Sequence, residues 1–449
     1  MGTEAIQGMA IDLMKVNDMS VDENVFCNLQ NLRLLQLNHV KLGGGCEYVL
    51  RKLTWLCWHG FPLSSIPDGL YGENLVAIDM RYSNLRQVKN SKNLKDLSLC
   101  GCKGSTSTTL ASRLRSWFLP PSPTNLLPPS FHGLDKLTTL SLRDCNLSDD
   151  ALPRDLGSLR SLTNLELGRN SFRSLPASLS NLLRLTGLKL DDNEWLQTIP
   201  DLPRNLDVLQ ASNCTSLERL PDISLASRMR LLYIANCPKL IEAPGLDKSK
   251  FISDINMDGC YDISNTLKNI MHKGCFSGLV LPGNEIPALF NYKTEGATIL
   301  FKLPEFNGRI LSGINVCIVC STHLEKKETR HIRINLTNHT KGLTKSFRKL
   351  AINLVKSCED HLWQGHLSNK DFILGSEDEA ELIVDCRNTM IVKKTGVYLV
   401  FEQDEARLNS KRSLDTDDVA GSSCDNLLQT KRMRFETCQQ NIDENMDCA

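Results

Sequence analysis

With 449 residues, 52 basic against 52 acidic side chains and a mean hydropathy of -0.22, the chain has room for two or three domains of roughly 150 residues each and carries no net charge. Zero net charge argues against a basic nucleic-acid binder and against attraction to an anionic membrane. No run of about 18 apolar residues occurs, and the first residues lack a basic stretch followed by an apolar one, so neither a membrane span nor a secretion signal is expected.

From the N-terminus to about residue 260, a pattern LxxLxLxx closes on Cys, Asn or a small residue about every 23 positions. Leu137, Leu140, Leu142 and Cys145 recur as Leu162, Leu165, Leu167 and Asn170, then as Leu185, Leu188, Leu190 and Asn193. Weaker copies close at Val16, Val40, Phe61, Ser83 and Cys102 before these, and at Cys214, Cys237 and Cys260 after them. A period of roughly 20 to 29 residues is that of leucine-rich repeats. Each unit supplies one short strand plus a return segment and buries its apolar side only by stacking on its neighbours. The pattern predicts an α/β leucine-rich-repeat solenoid over residues 1–273, a horseshoe with short parallel strands.

The leucines of LxL point inward, and the residues around them line a concave sheet. Counting back from each turn anchor gives the outward set Trp55, His59, Asp79, Arg81, Tyr82, Arg143, Asp144, Glu166, Arg169, Lys189, Asp191, Asp192, Tyr233, Asn236, Asp254 and Asp258. Mixed charge with Trp, Tyr and Arg is the composition of a protein-binding face. A plainly solvated face also carries mixed charge. The chain has 17 cysteines, an odd number. Cys102, Cys145, Cys214, Cys237 and Cys260 occupy the turn position and are expected as a buried ladder of reduced thiols. Cys317-Ile-Val-Cys320 has metal-like spacing, but it lies in the apolar run 313–320, a strand that would send the two thiols to opposite faces without a second CxxC pair.

Residues 103–130, with GSTSTT and LPPSPTNLLPPS, stretch one interval to 43 residues. The interval holds either a decayed repeat or a loop bulging from the solenoid. From 274 to 403 the sequence becomes strand-like, with runs at 298–303, 313–320, 331–336, 381–384 and 397–401. This predicts an all-β jelly-roll or Ig-like sandwich capping the solenoid. Leu343 to Lys356 reads as a short helix, with Phe347, Leu350, Leu354 and Val355 on one face. Residues 404–449 are polar and read as a disordered tail. Lys411-Arg412 and Lys431-Arg432-Met433-Arg434 resemble a bipartite nuclear import signal with a long spacer, so the expected location is the cytoplasm, with the nucleus as an alternative.

These residues carry a family resemblance. Gly2-Thr-Glu-Ala-Ile-Gln-Gly8, RKLTWLCWHGFPLSSIP at 51–67 and LGSLRSLTNLELGRNSFRSLPASLSNL at 156–182 resemble the junction and repeats of plant intracellular immune receptors of the TIR, nucleotide-binding and leucine-rich-repeat type. Residues 279–290, LVLPGNEIPALF, resemble the LPGxEIPxWF motif that opens the post-repeat jelly-roll of that family, with Leu289 in place of Trp. The resemblance covers residues 1 to about 403, the C-terminal part of such a receptor, and implies recognition of a pathogen effector or a guarded host protein. A repeat scaffold or decoy that partners a full-length nucleotide-binding receptor is the alternative. No GxxxxGK[ST] loop and no TIR sequence is present, so the family's NADase activity and nucleotide switch have no residues here.

No constellation for catalysis stands out, and neither enzyme activity, cofactor nor metal is expected. His361 and His366 are five apart, which would not place both on one helix face. The acidic run 377–381 reads as a solvated turn. Direct contact with nucleic acid or membrane is not expected either.

Overall fold

The computed structural model describes residues 5–13, 20–21, 26, 29–42, 50–70, 72–89, 91–102, 126–249, 251–263, 276–321, 331–350, 360–386 and 390–402. Anchor Val16, most of the interval 103–130 and the tail 404–449 with both basic pairs lie outside those residues.

The first part is a stack of parallel strands, one per repeat: β1 (Gly8–Asp12), β2 (Ser20–Val21), β3 (Leu34–Asn38), β4 (Lys41–Leu42), β5 (Trp55–His59), β6 (Ala77–Asp79), β7 (Asp96–Ser98), β8 (Thr139–Ser141), β9 (Asn164–Glu166), β10 (Gly187–Lys189), β11 (Val208–Gln210), β12 (Leu231–Tyr233) and β13 (Asp254–Asn256). All but β2 and β4, which pair with each other, follow chain order in one sheet. A three-residue strand such as Asn164–Glu166 puts Leu165 inside at 2% exposure and its two neighbours outside. Burying each such leucine stabilises by about 1.5–3 kcal/mol, so the stack, not any single unit, holds the fold. Return segments include 3-10 turns at Leu156–Ser158, Ala177–Asn181 and Ile223–Leu225.

Strand β7 pairs directly with β8, Leu97 opposite Leu140. Among the described residues the ladder therefore passes from β7 to β8 without an intervening rung.

The turn anchors behave as a ladder of donors. The thiols of Cys102, Cys145, Cys214, Cys237 and Cys260 donate to the carbonyls of Met80, Leu99, Leu190, Ala211 and Ile234 at 3.0, 3.0, 3.3, 3.2 and 2.9 Å, each reaching the preceding rung of the ladder. All five are buried.

Strand β14 (Gly278–Pro282) pairs parallel with β13 on one side and antiparallel with β20 on the other. Its neighbours in sequence are β15 (Tyr292–Glu295), β16 (Thr298–Lys302), β17 (Leu311–Ser321), β18 (His331–Asn338), β19 (Leu343–Leu350), β20 (His361–Ser368), β21 (Glu379–Asp385) and β22 (Ile391–Phe401). One sheet runs β14-β20-β17-β22-β15 as a continuation of the solenoid sheet, and a second runs β16-β21-β18-β19. Ile314, Val316, Ile318, Ile334, Leu336, Trp363, Leu382 and Val397 form a core of this β-domain. On the other face of β17, Ile286 and Phe290 close over Cys317, Val319 and Leu362, so residues 283–290 act as a cover. Cys317 and Cys320 belong to different clusters, on opposite faces of β17.

Two expectations, the helix from Leu343 and the solvated acidic turn, need correction. The predicted helix from Leu343 is strand β19 over Leu343–Leu350, paired with β18 so that Phe347 faces Ile334 and meets the Phe372 ring edge-on at 5.8 Å. A short run is ambiguous by periodicity, and cross-strand pairing decided it. The two histidines lie on a strand, His361 against Asp258 and His366 against Asn315. Asp378, placed in a solvated turn, is buried and accepts from Asn338 Nδ2 and Gly375 N, both at 2.7 Å.

Candidate protein-recognition surface

The concave face is built on a backbone feature that repeats with the leucines. The residue just before each described anchor has positive φ: His39, Gly60, Tyr82, Gly101, Asp144, Arg169, Asp192, Asn213, Asn236 and Gly259 lie between 54° and 75°. This conformation turns the amide toward the next repeat, as in Asp144 N to Gly168 O at 2.9 Å and Arg169 N to Asp191 O at 2.9 Å. Asp, Asn and Gly tolerate it best, so part of the polarity read as binding chemistry is a conformational requirement. Tyr82 and Arg169 meet no such preference and are the more informative side chains at this position.

At the centre, charges neutralise one another. Arg143, 8% exposed, reaches across two repeats to Asp192 at 2.7 Å, and Arg169 Nε donates to the same carboxylate oxygen at 3.2 Å. Gly168 makes that reach possible: a Cβ there would sit 2.8 Å from Arg143 Nη1. Burial opposes ionisation of Asp192, but the Asn213 hydrogen bond and the charges of Arg143 and Arg169 outweigh it and hold the carboxyl below its ordinary range. Asn236 donates to Asn213 at 3.0 Å, and Asn213 to Asp192 at 2.8 Å, extending the polar ribbon over three repeats. Asp191 differs. Burial and the charge of Asp192 push it up to about 6, against a hydrogen bond from Ser212 N. Ser141 donates to Glu166 at 2.7 Å, bridging β8 and β9.

Toward the N-terminal end, Arg81 forms a bidentate pair with Asp79, with Nε to Oδ1 at 2.9 Å and Nη2 to Oδ2 at 2.7 Å. His59 Nε2 lies 3.3 Å from the same Oδ2 and 3.4 Å from Cys57 Sγ. Burial, with Asp79 adding to it, pushes the Cys57 thiol up to about 12. Trp55 is half-buried, and Tyr82 is exposed with its ring lying over Gly101.

At the other end, Asp258 was read as outward and is instead 1% exposed, its Oδ1 2.7 Å from Nδ1 of His361 on β20. The β-domain covers this position, a contact formed 103 residues away in sequence. Asp254 accepts from the Ser253 hydroxyl at 2.8 Å and stays partly open, as do Lys189, Tyr233, Asp144 and Asn236. The structure thus gathers Arg143, Glu166, Arg169, Asp191 and Asp192 in one cluster and His59, Asp79 and Arg81 in another. Cys57 and Asn213 were missed. Cys57 occupies the same register as Asp79 and Glu166, and its i, i+2 spacing from His59 was the available signal.

These features place the chain among known proteins. Residues 281–406 match the C-JID domain. The disease resistance protein RPS4B of Arabidopsis thaliana is 23% identical over 91% of this chain and 46% of its own length. The disease resistance-like protein DSC1 of the same plant is 24% identical over 84% of this chain and 31% of its own length. The TMV resistance protein N of Nicotiana glutinosa is 29% identical over 40% of this chain and 15% of its own. The chain spans less than half the length of these curated relatives. The repeats are thus similar to those of plant disease resistance proteins, and they are followed by a segment that matches the C-JID domain.

Proposed function

We propose that the chain is the recognition part of a TIR-type nucleotide-binding immune receptor, acting in the plant cytoplasm and sensing a pathogen effector or a guarded host protein. The observation that carries this reading is the continuity of one sheet from β1 through β14 into β15, which joins the concave face and the C-JID domain. Large partner-binding surfaces need such preorganisation, because ordering loops on contact costs affinity. The partly open Lys189 and Tyr233 lie on the concave face at equivalent positions of β10 and β12, with Gln210 of β11 between them.

Co-purification of the full chain from infected and uninfected leaf tissue tests this. A pathogen protein recovered only from infected tissue, or a host protein recovered from both, supports sensing. Recovery of a full-length nucleotide-binding receptor alone supports the scaffold or decoy role instead. Lys189→Glu with Tyr233→Ala should lower recovery of the sensed protein by a hot-spot loss of about 2 kcal/mol, roughly 30-fold. Undiminished recovery rejects the concave face.

A further inference from the structure

Three donor atoms converge near the N-terminal end of the concave face in a way that recognition of a protein does not require. Cys57 and His59 are i and i+2 on β5, so the two-residue period of a strand sends both to the same face. The parallel register sets Asp79 of β6 beside Cys57. Cys57 Sγ lies 3.4 Å from His59 Nε2, His59 Nε2 lies 3.3 Å from Asp79 Oδ2, and one ligand atom from each residue lies within 4.8 Å of the others. A tetrahedral zinc ion, with bonds of roughly 2.3 Å to sulfur and 2.0–2.2 Å to nitrogen and oxygen, spaces its ligands roughly 3.3–3.6 Å apart. Two edges of such a tetrahedron are therefore already set, and the third needs only a side-chain rotation.

We propose that Cys57, His59 and Asp79 form a zinc site with three protein ligands, its fourth position open toward the concave face for water or a side chain of a bound partner. A thiol, an imidazole and a carboxylate suit zinc rather than magnesium or calcium, which take oxygen alone. Two of the three donors come from one strand and the third from its neighbour, so the frame is rigid. Cys57 is 3% exposed, while the His59 and Asp79 side chains keep 20% and 22% of their surface, which leaves a route for the ion.

Arg81 is the built-in competitor. The metal takes Asp79 Oδ2 and displaces Arg81 Nη2, and the bond from Arg81 Nε to Oδ1 remains to orient the carboxylate, as outer partners of metal ligands do. On binding, the Cys57 thiol gives its proton to solvent and the thiolate fills the coordination position. The carboxylate is thus neutralised by arginine in one state and by zinc in the other.

The test uses the purified full chain, stripped with a chelator, dialysed, and titrated calorimetrically with zinc alone and spectroscopically with cobalt(II). One equivalent of zinc binds, and cobalt gives a sulfur-to-metal charge-transfer band. Cys57→Ser abolishes the band and weakens zinc by more than the roughly 10- to 100-fold typical of losing an outer partner, and His59→Gln does the same to affinity. Cys100→Ser, two repeats along, leaves binding unchanged. Thermal melting of each variant checks folding. Should Cys57→Ser fail to fold, the more exposed His59→Gln decides. A cobalt spectrum without the thiolate band, or zinc binding unaltered in Cys57→Ser or His59→Gln, overturns the proposal.

Discussion

The asparagine-anchored repeats at the centre of the solenoid and the cysteine-anchored repeats on either side close the same turn with different chemistry. Asn170 Nδ2 donates to the carbonyls of Leu142 and Leu167 at 2.9 and 2.8 Å, while its Oδ1 accepts from Cys145 N and Leu147 N at 3.0 and 3.1 Å. Asn193 similarly donates to Leu167 and Leu190 and accepts from Asn170 N at 2.8 Å. A cysteine anchor reaches back with a thiol, a weak donor that supplies packing more than polarity. Ser83 is intermediate, accepting from Phe61 N at 3.1 Å and donating to Trp58 O at 3.3 Å. The difference teaches that the floor beneath Arg143, Arg169, Asp191 and Asp192 is bolted by amide bridges, whereas the flanks are held by apolar fit.

The harshest way to break this picture is Leu165→Asp, which buries an unpaired carboxylate between the two asparagine bridges. It should cost about 4–5 kcal/mol, at the upper end of what one substitution does. A melting temperature equal to the parent's would refute the inward placement of that register. His361→Ala comes next, since it removes the imidazole paired with the buried Asp258 carboxylate. About 3–5 kcal/mol is expected, and denaturant unfolding should show the loss, whereas an unchanged midpoint would mean that the two parts are not joined through this pair.

The comparison itself is sharpened by measuring Asn170→Ala beside Cys214→Ala. The first removes the acceptor of the Cys145 and Leu147 amides and the donor to the Leu142 carbonyl, and should cost about 2–4 kcal/mol. The second removes one weak donor and some apolar volume, for about 1–2 kcal/mol. Equal losses in chemical denaturation would erase the distinction between centre and flanks.

The smallest effect concerns Asp191. Its carboxyl is raised to about 6 in the folded chain, above the unfolded value of roughly 3.9, so the native state holds the proton more tightly between those pH values. Stability from this group is fully present below about pH 3.9 and is lost as the pH rises through about 6. Asp191→Asn, which keeps an acceptor for Ser212 N, should melt higher than the parent at pH 7 and level with it at pH 4. No pH dependence in that difference would show that Asp191 is better solvated than its surroundings imply.

The solenoid was legible because its core is written in one residue type at one period: Leu140, Leu165 and Leu188 needed nothing beyond spacing to be placed inside. The β-domain was legible where apolar residues run unbroken, as at β17 and β22, or alternate, as at β16, β18 and β21. Strands β15 and β20 mix charged, glycine and aromatic residues, and β19 has helix-like spacing, so their identity came from pairing that no local pattern encodes. Site residues followed the same rule. Positions set by the repeat, such as Glu166 and Lys189, fell where counting put them. Asp258 did not, because its cover is supplied by a strand distant in sequence, and Cys57 went unselected because it stands outside the anchor positions to which the other repeat cysteines were assigned. The run of Asp, Asn and Gly before the anchors was a visible sign of the positive-φ turns.

Strand β14, shared by both parts of the chain, also settles how a pull would travel. Its outer amides are engaged by β20, so this end of the solenoid offers no free edge on which another chain could template a strand. A load on the C-JID domain falls on hydrogen bonds side by side along β14, in shear, and they must yield together instead of opening one at a time like a zipper. The domain is therefore not a pendulum on a tether.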